Sequence, residues 1–394
     1  MTFKTGGPYA APVTRIAWTS DSCALLAEVA AEFEHTRPFA GLTIGTGIHL
    51  EPKTAALLLT LQRGGADVVA TGNLNTTQPA TVEFLRERGI AVIGQQTADP
   101  AEHDGYLREV LAAQPHLILD NGGDLFARYL EDPYPSLLGG TEETTSGRAR
   151  LAPLRERLAR PILVINDSPI KQFAENRHAV GQSVLESFLR ITNRSTNGRR
   201  VTVFGYGACG QGVAINFRNA HARVSVVELD PVLRLEALLD GFAVPDRDAA
   251  LAGADVVVTV TGAAHVLTAA DLGRLRDGAV VMNAGHLPHE IDVAALRADQ
   301  AVVRVTDGPD GIETLHLSDG HTVHVLTGGH MVNLAGPRPL GNSIESMDLG
   351  FALQARCLEA VALGRVDAGA CVVPVPRDID EAVSAAFVRM ANAA

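Results

Sequence analysis

A glycine-rich turn and the acidic residue that follows it carry the most specific chemistry in this sequence. Gly205, Gly207 and Gly210 fit the pattern G-x-G-x-x-G directly after an apolar run, and Glu228 ends the next apolar run. The glycines permit a tight turn and let backbone amides approach a pyrophosphate, and a carboxylate at that spacing accepts the hydroxyls of an adenosine ribose. The pattern predicts a dinucleotide site that prefers NAD to NADP. The alternative is a glycine-rich turn in another kind of α/β unit.

A turn of this kind needs a strand before it, a helix after it and a second strand beside the first. Val213, Phe217 and Ala220 recur at helical spacing between apolar runs at residues 201–204 and 223–227. Strands alternating with helices predict an α/β fold of two doubly wound parallel-sheet domains. Further strands are predicted at residues 42–44, 67–70, 91–93, 117–119, 162–165, 255–259, 279–282, 302–305 and 322–326. Helices are predicted at residues 52–62, 80–88, 104–113, 172–192, 231–240, 268–275 and 344–362.

The composition excludes several classes of protein. A chain of 394 residues is long enough for two domains, and its mean hydropathy of +0.11 is typical of a well-buried enzyme. A net charge of −12 with no run of Lys or Arg argues against nucleic acid as a partner. No apolar stretch has membrane-spanning length and the first residues lack a signal-peptide pattern, so we expect a cytoplasmic protein that binds no membrane. Four widely spaced cysteines without a C-x-x-C pair predict neither a disulfide framework nor a metal site.

Ten short stretches, none of them specific alone, occur in an order that is typical of one protein family. They lie at residues 47–49, 72–78, 119–125, 142–145, 165–176, 205–212, 228–231, 258–262, 283–292 and 332–334. Together they make the chain resemble the S-adenosyl-L-homocysteine hydrolase (adenosylhomocysteinase) family over nearly its whole length. The resemblance implies a discontinuous substrate domain, residues 1–178 and 340–394, around a Rossmann NAD-binding domain, residues 179–339. It also implies a small nucleoside substrate, an NAD that is recycled within each turnover, and a homo-oligomer (dimer or tetramer).

The resemblance also implies roles for individual residues in a reaction that oxidises a ribose 3′-hydroxyl, removes the C4′ proton and expels the 5′ substituent. Lys171 looks like the lysine that accepts and returns the 3′-hydroxyl proton, and Glu143 like the carboxylate that grips the 2′-hydroxyl. His49 and His286 look like the pair that handles protons at the 5′ position, which suits imidazole. The positions similar to cofactor-contacting ones are Thr144, Thr145, Asn176, Gly205, Gly207, Ala208, Cys209, Gly210, Glu228, Thr261, Gly262, Gly285 and Asn333, the last against the nicotinamide carboxamide.

The sequence departs from the family pattern where substrate is expected. Asn121 stands in place of an aspartate that serves at C4′, and an amide cannot act as a general base. Glu175 replaces an aspartate after the active lysine. Glu51 and Lys53 replace a threonine and an acid that contacts adenine, and Leu340 replaces a histidine that gates the pocket. These five positions are therefore predicted to be catalytic or substrate-contacting residues of an altered pocket.

Several functions fit these residues. The preferred prediction is a divergent nucleoside lyase or dehydratase that loses water and gives a 4′,5′-unsaturated nucleoside of specialised metabolism. Ordinary hydrolysis of S-adenosyl-L-homocysteine to adenosine and homocysteine is the main alternative, and an NAD-binding regulatory pseudoenzyme is a further one. A 2-hydroxy-acid dehydrogenase would use His286 as its catalytic histidine but leaves the stretches at residues 142–145 and 166–168 without a purpose.

Overall fold

The protein was analysed as a computed structural model, which describes residues 10–286, 288–336, 338–367 and 371–393. The chain packs as two compact units, a first unit of Met1–Gln172 with Ile344–Ala394 and a second unit of Phe173–Ser343. The α/β fold with two mainly parallel sheets is confirmed. The substrate and cofactor roles of the predicted domains stay predictions, and Pro337, in the predicted NAD-binding domain, lies outside the described residues.

The strands and helices alternate along most of the chain. The strands are β1 (Thr43–Gly47), β2 (Asp67–Thr71), β3 (Ala91–Val92), β4 (Leu117–Asp120), β5 (Gly139–Glu142), β6 (Ile162–Val164), β7 (Arg200–Phe204), β8 (Arg223–Val227), β9 (Val256–Thr259), β10 (Ala279–Asn283), β11 (Val302–Asp307), β12 (Ile312–Leu317), β13 (Thr322–Leu326) and β14 (Val373–Pro374). The α-helices are α1 (Ala10–Ser22), α2 (Ala24–Thr36), α3 (Pro52–Arg63), α4 (Pro79–Arg86), α5 (Pro100–Ala112), α6 (Asp124–Tyr129), α7 (Thr145–Leu151), α8 (Val180–Thr192), α9 (Ala208–Asn219), α10 (Pro231–Leu239), α11 (Arg247–Gly253), α12 (Val293–Ala298), α13 (Ile344–Ala362) and α14 (Arg377–Ala393). None of these helices is long and apolar enough to cross a membrane.

The sheet of the first unit brings three candidate loops to one edge. Its parallel strands run in the order β14-β6-β5-β4-β1-β2-β3. Asp120 at the end of β4 is in register with Gly47 of β1 and with Glu142 of β5. Because the carboxyl ends of neighbouring parallel strands meet at the same edge, ligands bind there in open α/β sheets. The loops that follow these strands carry three of the predicted site residues: His49, Asn121 and Glu143.

Strand β5 lies in a segment that the sequence pattern marks only as a polar, glycine-rich patch. Its glycines are needed because the strand packs closely: a Cβ on Gly140 would lie 1.9 Å from the carbonyl oxygen of Ile118. A Cβ on Gly139 would lie 3.0 Å from the side chain of Val361 in α13. The low strand propensity of glycine is therefore outweighed by close packing, and β5 is a strand that the sequence did not predict.

The sheet of the second unit has the order β11-β12-β13-β10-β9-β7-β8. Strands β8, β7, β9, β10 and β13 are parallel, whereas β12 pairs with β11 and β13 in the antiparallel sense. Strand β12 was not predicted, although its buried Leu315 and Leu317 alternate with half-buried residues. The predicted helix at residues 268–275 is a 3₁₀-helix (Ala269–Arg274), and helices α1, α2 and α14 were also missed.

Candidate active site

Four polar side chains of the first unit form a buried row of hydrogen bonds. Lys171 Nζ donates to Glu143 Oε1 over 3.2 Å. Asn121 Nδ2 donates to Glu143 Oε2 over 2.9 Å, and Asn73 Nδ2 donates to Asn121 Oδ1 over 2.9 Å. The side chains of Lys171 and Glu143 are each 6% exposed. The row therefore offers a cation, a carboxylate and an amide to the hydroxyl groups of a small polar ligand.

The sequence fixes this row at the ends of secondary-structure elements. Asn121 and Glu143 directly follow β4 and β5, and the Glu143 N–H donates to the carbonyl of Asp120 over 3.1 Å. Lys171 begins a π-helix (Lys171–Ala179) where a single long α-helix was predicted. Such widened helical turns occur frequently at functional sites. Glu175 and Asn176 lie in the same π-helix and are both buried, with exposed fractions of 6% and 8%.

Two fully buried carboxylates stand beneath this row, and the sequence analysis gave them no role. Asp120 accepts hydrogen bonds from the N–H groups of Asn121 and Phe126. Glu142 accepts from the N–H groups of Gly122 and of residues 123 and 144. Burial raises the pKa of both acids, and the charge of Asp120 raises that of Glu142 further. Asp120 ends the predicted apolar strand β4 and could have been found from that position, whereas Glu142 ends the glycine-rich β5, which has no apolar period.

His49 is held by two threonines at the loop after β1. Its Nδ1 lies 2.7 Å from the Thr76 hydroxyl oxygen, and its carbonyl accepts a hydrogen bond from the Thr54 hydroxyl over 2.6 Å. The ring is half-buried. The contact with Thr76 restrains the orientation of the imidazole, a side chain that can take up or release a proton near neutral pH.

Glu51 and Lys53 form a buried ion pair where α3 begins. The two side chains are 6% and 5% exposed, and Lys53 Nζ lies 2.6 Å from Glu51 Oε2. The nearby Asp348 carboxylate accepts from the Leu25 and Leu26 N–H groups at the start of α2. The pair offers one donor and one acceptor inside the first unit, which suits the edge of a nucleobase.

Lys53→Met is expected to lower the free energy of unfolding by about 3–5 kcal/mol, because it leaves the buried Glu51 carboxylate without its cation. The double variant Glu51→Leu/Lys53→Met removes both charges and should recover most of that loss. Urea denaturation of the three proteins measures the difference. Equal stability of Lys53→Met and the wild type would show that the ion pair contributes nothing.

Thr144 and Thr145, predicted to contact the cofactor, lie at the start of α7 in the first unit. The Thr144 hydroxyl caps this helix by accepting from the Gly147 N–H over 2.9 Å. The Thr145 hydroxyl donates to Asn166 Oδ1 over 2.9 Å. Both threonines are thus held rigidly, and their predicted contacts with a cofactor stay predictions.

The glycine turn of the second unit has the form that a dinucleotide requires. Gly205 has φ of +101°, a backbone conformation that favours glycine. A Cβ on Gly210 would lie 2.1 Å from the Gly205 carbonyl oxygen, whereas a Cβ on Gly207 would meet no protein atom within 4 Å. The open space above Gly207, where α9 begins with Ala208 and Cys209, fits a pyrophosphate at a helix N-terminus.

Glu228 is tied to the glycine turn. One of its carboxylate oxygens accepts from the Tyr206 N–H over 2.7 Å, and the other accepts from the N–H groups of Leu229 and Asp230. The side chain is half-buried. A carboxylate fixed in this way at the end of the second Rossmann strand is placed to accept ribose hydroxyls.

The loops that carry Thr261, Gly262 and Gly285 are shaped by two buried residues that were not among the predicted site residues. Glu290 accepts from the N–H groups of Thr261 and Gly262 over 2.9 and 2.7 Å. Asn283 Oδ1 accepts from the Gly285 N–H over 2.8 Å. Burial raises the pKa of Glu290 against the effect of these amides. His286, next along the second loop, is half-buried, as is Leu340 elsewhere in this unit.

Comparison with known proteins identifies the family. The family described as S-adenosyl-L-homocysteine hydrolase matches residues 14–134, and its NAD binding domain matches residues 176–338. The chain is 39% identical over 376 residues to the adenosylhomocysteinase of Thermotoga maritima, covering 94% of this chain and 92% of that one. It is 36% identical over 387 residues to the S-inosyl-L-homocysteine hydrolase of Methanopyrus kandleri, covering 96% and 90%. The chain belongs to the S-adenosyl-L-homocysteine hydrolase family.

NAD is the cofactor of this S-adenosyl-L-homocysteine hydrolase homologue, as the match to the family's NAD-binding domain shows. The residues present fit that cofactor. Asn333 Nδ2 donates to the Ser183 hydroxyl over 3.0 Å, while its buried Oδ1 finds no hydrogen-bond donor among the described residues. A buried acceptor of this kind is costly unless a ligand satisfies it, and the carboxamide N–H of a nicotinamide has the donor chemistry that it needs. No cluster of three metal-ligating side chains occurs in the described part of the chain.

Proposed function

We propose that this protein oxidises the 3′-hydroxyl of a nucleoside, removes the C4′ proton and expels the 5′-hydroxyl as water, giving a 4′,5′-unsaturated nucleoside. The observation that supports the proposal most is the buried row in which Lys171 and Asn121 both contact Glu143. In this row Lys171 is the proposed proton acceptor and Glu143 is suited to binding neighbouring hydroxyl groups. Asn121 places an amide where the family pattern has an aspartate.

The overall reaction converts one nucleoside into one unsaturated nucleoside and one water. NAD, held in our proposal by the glycine turn and Glu228, would supply the hydride acceptor for C3′ and the hydride source for the final reduction. Lys171 acts as the neutral amine when it takes the proton of the 3′-hydroxyl, becomes the ammonium that pairs with Glu143, and gives the proton back in the last step, while Glu143 accepts a hydrogen bond from the 2′-hydroxyl. The electron pair of the C4′–H bond forms the new double bond as the C5′–O bond breaks, and in our proposal His49 accepts the C4′ proton and delivers a proton to the departing hydroxyl, which leaves as water.

Asn121 orders the row but cannot act as an acid or a base at C4′. Its amide donates to Glu143 and accepts from Asn73, so it orders the row but can neither take up nor deliver a proton. Hydration of the alkene needs a proton to be delivered to C4′. The elimination removes a proton from the same carbon, so Asn121 serves neither step and our proposal assigns the C4′ proton to His49.

The 5′ leaving group needs a proton donor. Hydroxide is a much poorer leaving group than a thiolate, because water has a pKa near 15.7 and a thiol one near 8.5. We assign this transfer to His49, whose ring orientation is fixed by Thr76, together with His286. Lys53 and Glu51 are assigned to the base, with Glu175 and Leu340 as further pocket residues.

Hydrolysis of a homocysteine thioether is the second candidate. It is favoured by relatives at 36–39% identity, which are named adenosylhomocysteinase or S-inosyl-L-homocysteine hydrolase. The same Lys171–Glu143 pair would serve it, with homocysteine in place of water as the leaving group. We also propose a homo-oligomer in the cytoplasm for either function.

Mass spectrometry of products distinguishes the candidates. The purified protein is mixed with S-adenosylhomocysteine, S-inosylhomocysteine and a panel of adenine and hypoxanthine nucleosides. Loss of one water from a nucleoside supports the proposal, and release of homocysteine supports the second candidate. Absence of any product and of any reduced, enzyme-bound NAD would indicate the regulatory pseudoenzyme, and multiple turnover of a 2-hydroxy acid with free NAD would indicate the dehydrogenase.

Asn121→Asp is expected to lower dehydration about tenfold and to raise any thioether hydrolysis. The new carboxylate replaces a donor to Glu143 by a like charge, and it restores a group able to carry a proton. The measurement is the ratio of the two products at a fixed substrate concentration. Asn73→Asp, which adds an acid one hydrogen bond further from Glu143, is the matched control and should not raise hydrolysis. An unchanged product ratio in Asn121→Asp would show that the Asn121 amide does not determine which product forms.

A further inference from the structure

Two carboxylates end neighbouring strands in the first unit without any assigned role. Asp120 of β4 and Glu142 of β5 are register partners, and both are fully buried. Neighbouring strands lie about 4.8 Å apart, and register partners project from the same face of a sheet. The two acids therefore occupy one small volume that water does not reach.

These carboxylates brace the two loops that carry Asn121 and Glu143. Glu142, on β5, accepts from the N–H groups of Gly122 and Gly123 in the loop after β4, over 3.0 and 2.9 Å. It also accepts from the Thr144 N–H over 2.7 Å. Asp120 accepts from the N–H of Asn121 itself, over 2.9 Å. The position of each loop thus depends on the charge and geometry of the pair.

The pair cannot be doubly charged at low cost, because like charges at this spacing in a dry site repel each other strongly. Burial raises the pKa of both acids, although the backbone amides favour their charged forms. The nearest further charge on Asp120 is Asp124 of α6, which is itself paired with Arg128 and Arg150. A single proton on the pair removes the repulsion between two negative charges. It also leaves one negative charge for the backbone amides to stabilise.

We propose that Asp120 and Glu142 are positioning residues that share one proton and thereby hold Asn121 and Glu143 against each other. The inference rests on the function proposed above, since it is the contact of Asn121 with Glu143 that orders the row at the ribose hydroxyls. Loss of the shared proton places two charges on adjacent strand ends. The ends then separate, and the 2.9 Å contact between Asn121 and Glu143 is lost.

The test compares Asp120→Asn, Glu142→Gln and the control Asp104→Asn, whose acid pairs with Arg108 and Arg128 on the same unit. For either pair variant we expect bound NAD to be kept and kcat/KM for the nucleoside to fall about tenfold. The alkaline limb of the kcat/KM profile should move up by about one pH unit or more. In each variant a single acid faces a neutral amide, so its deprotonation no longer places two negative charges side by side. Asp104→Asn should leave both quantities unchanged.

A second readout follows from linkage. Because folding raises the pKa of Asp120 from 3.8 to about 7 and that of Glu142 from 4.5 to about 8, their contribution to stability is lost as pH rises from about 4 to 8, and either variant should show a smaller loss. The inference is wrong if both variants keep the wild-type kcat/KM and alkaline limb while only their melting temperatures change. A wild type that oxidises no nucleoside would overturn the proposed function instead. In that case hydrogen exchange at Gly122, Gly123 and Thr144 decides, with faster exchange in Glu142→Gln supporting the inference and unchanged exchange overturning it.

Discussion

Lys171→Ala is expected to lower substrate oxidation by about 10²–10⁴-fold while leaving NAD bound. The lysine is the proposed acceptor of the 3′-hydroxyl proton, and positioned acid–base groups contribute rate factors of this size. Its removal also leaves the Glu143 carboxylate buried without its cation, 3.2 Å from where Nζ stood. Both effects act on the sugar, whereas the glycine turn that holds the pyrophosphate in our proposal belongs to the second unit.

The measurement is the absorbance of reduced, enzyme-bound NAD after a nucleoside is added in a single turnover. Arg177→Ala is the matched control, because Arg177 is a cation of the same π-helix but is exposed to solvent. The control should oxidise the nucleoside at the wild-type rate. If Lys171→Ala also does so, the lysine is not the proton acceptor and the role implied by the family pattern is wrong.

The parts of the structure that follow from local sequence were predicted well. Strand β8 and helix α13 have the predicted bounds, and the turn at Gly205 follows its strand as the pattern requires. These segments have a clear apolar period and their own start and stop signals. The match to the NAD-binding domain of the family confirms the cofactor.

The parts that depend on distant neighbours were missed. Gly139 and Gly140 have poor strand propensity, and β5 forms because Ile118 and Val361 approach its backbone closely. The acids Asp120 and Glu142 become a pair only through the register of β4 with β5, which single-sequence periodicity does not reveal. Tertiary packing overrides local propensity in β5. The acid pair depends on the pairing of two strands that are distant in sequence.

The adjacent acids Glu142 and Glu143, at the end of β5, contact different partners. Glu142 is the last residue of β5, and its hydrogen-bond donors among the described residues are backbone N–H groups and the Thr144 hydroxyl, so its carboxylate stabilises the loops. Glu143, one residue further, faces the Lys171 ammonium and the Asn121 amide. Because successive side chains of an extended chain point to opposite faces, two neighbouring carboxylates can meet different partners.

Gly207→Ala is expected to fold like the wild type and yet to lose NAD. Gly207 has φ of −64° and ψ of −178°, which alanine adopts without strain, and its Cβ would meet no protein atom within 4 Å. The methyl group would instead occupy the space that the pyrophosphate needs. Overpacking of this kind costs about 1–3 kcal/mol, so the Kd for NAD should rise about 10- to 100-fold.

Gly210→Ala should behave differently, because its Cβ would lie 2.1 Å from the Gly205 carbonyl oxygen and the turn itself could not close. We expect this variant to melt at a lower temperature even without NAD. Gly253→Ala is the control, since its Cβ also meets no protein atom within 4 Å but the residue lies at the end of α11, outside the glycine turn.

The three variants and the wild type are stripped of NAD, and their melting temperatures are measured with and without added cofactor. The wild type and Gly253→Ala should gain stability on addition of NAD, because a ligand that binds only the folded state stabilises it. Gly207→Ala should match the wild type without NAD and gain little with it. A full gain in Gly207→Ala would mean that the pyrophosphate does not lie above this glycine, and the dinucleotide site would have to be sought elsewhere in the second unit.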